Sequence, residues 1–142
     1  MQKKVGGVIL SHGQLASGLL SAAETVVGEL PFITAVTIGW HDDLETVRDE
    51  IARAVKQVDS GKGVLILTDM FGGAPTNIAA MFLSDKVEIL TGVNLPMVIK
   101  LGRQTLNADL HFVAQEVIRR GREEIYLASE LLAPPKQKKN DK

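Results

Sequence analysis

Four short runs of the chain are almost wholly apolar and β-rich. Each is followed by a stretch whose apolar residues recur every three or four positions. The runs are Val5 to Leu10, Phe32 to Ile38, Gly63 to Thr68 and Val87 to Thr91. None alternates apolar with polar residues, so each reads as a strand covered on both faces. Leu15, Leu19, Ala22, Ala23 and Val26 form a helical stripe that ends at Gly28. Leu44, Val47, Ile51, Ala54, Val55 and Val58 form a second stripe. Asp42 and Glu45 have the spacing of a capping box at its start, and Gly61 closes it. Pro75 to Leu83 reads as a third helix with proline near its first turn, and Pro96 to Leu101 as a short fourth. Leu110, Val113, Ala114, Val117 and Ile118 mark a fifth, stopped by Gly121, and a strand-like piece follows from Glu124 to Ala128. This alternation calls for parallel strands joined by right-handed helical crossovers. The expectation is a three-layer α/β domain with a mostly parallel central sheet and helices on both faces.

With 142 residues, the chain fits one domain, residues 1–130. The Pro- and Lys-rich tail, residues 131–142, is expected to be disordered and basic. Sixteen basic against seventeen acidic residues leave a formal charge of -1, which gives no general attraction to nucleic acid or to a membrane surface. The chain contains no cysteine, which excludes disulfides, thiolate metal sites and cysteine nucleophiles. The apolar run after Met1-Gln2-Lys3-Lys4 is too short for a secretory segment, and no window reaches the length of a membrane span. A soluble cytoplasmic protein is expected.

Open parallel sheets bind ligands beyond the C-terminal ends of their strands. The first strand ends in Ser11-His12-Gly13, and the third in Thr68-Asp69-Met70-Phe71-Gly72-Gly73-Ala74-Pro75-Thr76-Asn77. If these strands are neighbours, the Asp69 carboxylate can accept a hydrogen bond from one ring nitrogen of His12. That fixes the tautomer and leaves the other nitrogen free to attack, and the carboxylate would stabilise positive charge on the ring. A phosphoryl group on His12 would find backbone N–H groups at the helix start after Gly13 and at Gly72-Gly73, with Ser11, Thr68 and Thr76 as hydroxyl donors. The segment contains neither G-x-x-x-x-G-K-[ST] nor G-x-G-x-x-G, so a bound nucleotide is not the natural reading. A lone histidine can equally be structural, the Gly-Gly pair can be only a tight turn, and Gly92 and Asn94 can serve turn geometry alone. His41 beside two aspartates reads as an exposed loop residue, and His111, on a helix beside its apolar stripe, as a structural or surface residue. Trp40 and Phe71 fit either a core or an exposed contact for a partner protein.

These motifs resemble the IIA domain of the mannose family of the bacterial phosphoenolpyruvate-dependent sugar phosphotransferase system. The resemblance is carried by Ser11-His12-Gly13, by the segment Gly63 to Asn77 with its Asp-x-x-Gly-Gly-x-Pro-x-Asn pattern, and by Thr91-Gly92-Val93-Asn94-Leu95-Pro96-Met97. It covers roughly residues 4–130. It implies that His12 accepts a phosphoryl group from phospho-HPr and passes it to a IIB protein, and that Asp69 orients His12; the residues in the sequence call for no metal or cofactor. It also implies a C-terminal antiparallel strand, here Glu124 to Ala128, exchanged across a homodimer. Contact with the membrane would be indirect, through the permease. The family often has Ser where this chain has Ala74, which removes one donor and leaves Thr76 or backbone N–H groups to serve. With no IIB domain following in this sequence, the acceptor is expected to be a separate protein. Two other readings compete. The same His12 chemistry could report phosphorylation state to a regulator, or serve a dihydroxyacetone kinase as an accessory. A tetrapyrrole metal chelatase also places His-Gly after its first strand, but it would have to recruit His41 or His111 and leaves the Asp69 to Asn77 segment without a role.

Overall fold

The computed structural model describes residues 3–39, 43–70 and 73–132. Strands β1 (Gly6–His12), β2 (Ile33–Ile38), β3 (Val64–Thr68) and β4 (Val87–Thr91) form one parallel sheet in the order β2-β1-β3-β4. The strands alternate with helices α1 (Leu15–Val27), α2 (Leu44–Val58) and α3 (Gly73–Ala80). Helices α4 (Leu95–Gly102), α5 (Leu110–Glu123) and α6 (Ala128–Leu131) follow.

Successive strand residues feed two separate cores. Ile9, Leu65, Leu67 and Leu90 pack with Ala16 and Ala23 of α1, Val98 and Leu101 of α4, and Val113 and Val117 of α5. Val8, Leu10, Val36, Ile38, Val64 and Ile66 pack with Val47, Ile51 and Val58 of α2 and with Ile78 and Ala79 of α3. This two-sided burial is why the strands read as continuous apolar runs. The three-layer α/β architecture follows from it.

Several local features differ from the sequence reading. Helix α2 is capped by Asp43, not Asp42: the Asp43 carboxylate accepts from Thr46 N–H at 3.3 Å, which puts Thr46 rather than Glu45 at the third position of the turn. Asp42 lies outside the described residues. Leu44, expected in the buried stripe, is exposed because it is the first residue of the helix, before the helix reaches the sheet. Helix α3 starts at Gly73, so Pro75 falls in its first turn as expected, but α3 ends at Ala80 and continues only as tight turns through Leu83. Gly121 does not stop α5. It is buried within the helix, and Met97 of α4 packs so closely there that an added Cβ would lie 2.6 Å from the Met97 Cγ. The Glu124 to Ala128 piece forms no strand with this chain's own sheet. Glu124 is the C-cap of α5, held by its N–H to Arg120 O and by an Arg120–Glu124 ion pair at 3.0 Å, and Ala128 already opens α6. Residues 133–142, most of the expected tail, lie outside the described residues.

The start of β1 is clamped from both sides. The Gln104 side chain accepts from Val5 N–H at 2.6 Å and donates to Val5 O at 3.0 Å, a two-bond pairing made by a side chain in place of a strand. Asn107 and Lys3 exchange a second pair of bonds at 2.9 and 3.0 Å. At Gly6, the end of α2 comes so close that a Cβ would lie 2.3 Å from the Val58 carbonyl oxygen. Backbone atoms cannot rotate away as the Met97 side chain can. Gly6→Ala should therefore destabilise the fold by about 1–3 kcal/mol, as overpacking does, and by more than Gly121→Ala. Urea denaturation of the two variants measures this, and equal midpoints would contradict it.

Candidate functional site

Strand β1 lies between β2 and β3, with Leu10 opposite Thr68 and His12 opposite Ile38. Side chains two residues apart share a face of a strand. Leu10, Ile38 and Ile66 all enter the core under α2 and α3, so His12 and Thr68 project on that same side. His12 ends its strand with its side chain 45% exposed, where β1 emerges from its covering layers. Asp69 follows β3 directly. Its Oδ2 lies 3.6 Å from His12 Nδ1, beyond hydrogen-bond length, and its Oδ1 accepts from Met70 N–H at 2.8 Å. The parallel pairing of β1 and β3 thus brings together the two residues on which the sequence argument rested.

The residues around the pair divide by role. Gly13 adopts a left-handed φ of 59° with open space around it, a conformation that suits glycine and turns the chain from β1 into α1. Ser11 is fully buried. Its Oγ accepts from Ala16 N–H at 2.7 Å, a bond to the first turn of α1 that the N-cap residue Gln14 does not make. Thr76 is also buried, and its hydroxyl donates to Met70 O at 3.0 Å, closing the turn that carries Asp69 into α3. Thr68 is fully buried, and among the described residues its Oγ1 has no hydrogen-bond partner. Gly73 and Ala74 are the first residues of α3, so their N–H groups belong to a helix start. Gly72, Phe71, Trp40 and His41 lie outside the described residues. His111 is exposed on α5, away from the strand ends.

The turn after β4 completes this end of the sheet. Val93 N–H donates to Thr68 O at 2.9 Å, Gly92 takes a φ of 79°, and Asn94 caps α4 through Met97 N–H while donating to Gly121 O at 3.2 Å. Gly92 and Asn94 therefore serve turn and cap geometry. Among the described residues no group of three His, Cys, Asp or Glu side chains could hold a metal ion. Sequence reasoning missed that Met70, beside Asp69, and Leu44, at the start of α2, are exposed apolar side chains at this same end of the sheet. Hydropathy alone assigns such residues to a core, and only the helix and strand boundaries show that they fall outside it.

Residues 6–118 match the protein family described as PTS system fructose IIA component. The chain is 36% identical over 100 residues to the PTS system mannose-specific EIIAB component of Escherichia coli (strain K12), covering 66% of this chain and 29% of that protein. It thus spans about three tenths of the length of that relative. It is 29% identical over 96 residues to the PTS system fructose-specific EIIA component of Bacillus subtilis (strain 168), covering 66% of each. Among solved structures, the PTS IIA protein associated with the fucose utilization operon of Streptococcus pneumoniae matches with a TM-score of 0.78 at 26% identity, covering 93% of this chain and 99% of that one.

The geometry makes Ser11 a helix-holding residue. Ser11→Ala should leave Ala16 N–H unpaired in a buried position and lower stability by about 1 kcal/mol, the usual cost of a lost N-terminal cap. A denaturation midpoint unchanged from the parent would remove that role.

Proposed function

The chain belongs to the mannose family of IIA components of the phosphotransferase system, and on that premise we propose that His12 is its phosphoryl carrier. The observation that carries this reading is the juxtaposition of His12 and Asp69 at adjacent parallel strand ends, with Nδ1 and Oδ2 3.6 Å apart. Asp69 lies on the Nδ1 side, which leaves Nε2 as the nucleophile. Its lone pair attacks the phosphorus of phospho-HPr, and a new N–P bond forms as the bond to the HPr histidine breaks. The HPr imidazole departs, and the ring of His12 becomes a cation beside the Asp69 carboxylate. Closing the gap between Nδ1–H and Oδ2 stabilises that cation. In the second step the phosphoryl group leaves His12 for a nucleophile of a IIB partner, which commits it to sugar uptake.

Phosphoryl transfer of this kind needs positioning and charge stabilisation rather than protein acid–base chemistry. The N–H groups after Gly13 and those of Gly73 and Ala74 at the start of α3 form the cradle for the phosphoryl oxygens. Ser11 and Thr76 serve it by fixing the backbone, the first through Ala16 and the second through Met70. Among the described residues no helix is long and apolar enough to cross a membrane. The protein acts from the cytoplasm and meets the membrane only through the permease.

The C-terminal segment belongs to the same proposal. Ile125, Tyr126 and Leu127 are exposed apolar residues, and among the described residues they pair with no strand and β4 has no neighbour on its outer edge. Exchange of this segment between two copies, as an antiparallel strand, would cover both. Sedimentation at micromolar concentration should then show a dimer, and a clean monomer would remove the exchange from the proposal.

Incubation with phosphoenolpyruvate, enzyme I and HPr should give an acid-labile, base-stable phosphate on the protein, and His12→Ala should give none. Labelling of His12→Ala at the parent level would overturn the assignment. Asp69→Asn should keep the fold and slow transfer roughly tenfold or more, the rate equivalent of losing about 1.4 kcal/mol of charge stabilisation. Equal rates in parent and variant would take Asp69 out of the mechanism.

A further inference from the structure

The hydroxyl of Thr68 is an anomaly of the fold. It is fully buried at the end of β3, a strand whose other residues are Val64, Leu65, Ile66 and Leu67, and among the described residues its Oγ1 has no partner. A buried hydroxyl without a partner costs free energy comparable to a lost hydrogen bond. Valine has the same shape and β-branching and would fill the position without that cost. A residue that carries a cost its isostere avoids suggests that the hydroxyl has a use in another state of the protein.

Its place indicates which state. Thr68 immediately precedes Asp69 and lies opposite Leu10, two residues before His12 on the neighbouring strand and on the same face of the sheet. Thr68 O is held by Val93 N–H, so the strand end itself is fixed. The Asp69 carboxylate is not closed on His12, since the 3.6 Å separation exceeds a hydrogen bond, and its other oxygen accepts from the N–H of the next residue. An unfinished charge contact and an unused donor therefore sit on consecutive residues.

We infer that Thr68 is a positioning residue for the phosphorylated state, its hydroxyl donating to the Asp69 carboxylate when that carboxylate closes on the His12 imidazolium. This rests on the phosphohistidine reading above and adds to it the group that holds Asp69 in place. Closing the pair moves Asp69 towards β1, over the end of β3. An O–H donor to a carboxylate is a charge-assisted bond, stronger than one between neutral groups. The hydroxyl would be satisfied only in the charged state, so its bond favours that state over the resting one.

Three proteins test this: the parent, Thr68→Val and Thr68→Ser. Each is phosphorylated from phosphoenolpyruvate through enzyme I and HPr, and each is unfolded in urea. Thr68→Val should be at least as stable as the parent and take up phosphate about tenfold more slowly, the loss expected for one hydrogen bond to a charged group. Thr68→Ser should be less stable, because it loses a buried methyl group, yet keep the parent rate. A purely structural role would make rate and stability fall together. Parent-rate transfer by Thr68→Val, or a Thr68→Ser as slow as Thr68→Val, would overturn the inference. A parent that takes up no phosphate would instead fail the phosphocarrier reading, and the role of Thr68 would fall with it.

Discussion

Strand β1 has a strand on each side and a helical layer on each face, and the site depends on that enclosure. Every residue from Val5 to Ser11 is buried, so a polar side chain can reach solvent only where the strand leaves its covering. His12 stands at that point. The register with β3 then decides what the histidine meets, because Leu10 opposite Thr68 places Asp69 one step beyond the ladder and within reach of the ring. A shift of one residue in that pairing would turn Asp69 away and exchange the two faces of β3 between the two cores.

Much of the architecture could be read from the chain because the strands are buried on both faces. Their uninterrupted apolar runs, such as Val64 to Leu67, distinguish them from helical stripes and from half-exposed strands. The boundaries were less legible. Asp42 and Asp43 are adjacent candidates for the α2 cap, and only the bond to Thr46 N–H selects Asp43. Gly121 looks like a helix stop in sequence, but its lack of a side chain serves a tertiary contact with Met97 that leaves no local mark. The segment after α5 has strand-like composition. Composition alone does not say which strand such a segment pairs with, and here it joins none of β1 to β4.

The meeting of His12 and Asp69 was legible in the sequence, and the bonding of the residues around them much less so. His12 and Asp69 follow from the rule that strand ends carry the chemistry of open sheets. Ser11, Thr68 and Thr76 look alike in sequence, as three hydroxyls near a strand end, yet the fold gives them three different situations. One holds a helix, one closes a turn and one is left without a bond. The difference lies in where each side chain points once the sheet twists and the helices start, which residue type does not encode.

The Gln104 clamp has a practical consequence for handling the protein. It fixes the chain at Val5, at the far end of β1 from His12, and seven residue steps at about 3.3 Å each put roughly 23 Å between that point and the histidine. Lys3, bonded to Asn107 beside that clamp, therefore lies at the end of the domain away from His12. A purification tag, a surface tether or a fluorescent label attached there would present His12 outward to a partner in solution, and attachment through the loops beyond the strand C-termini would block it.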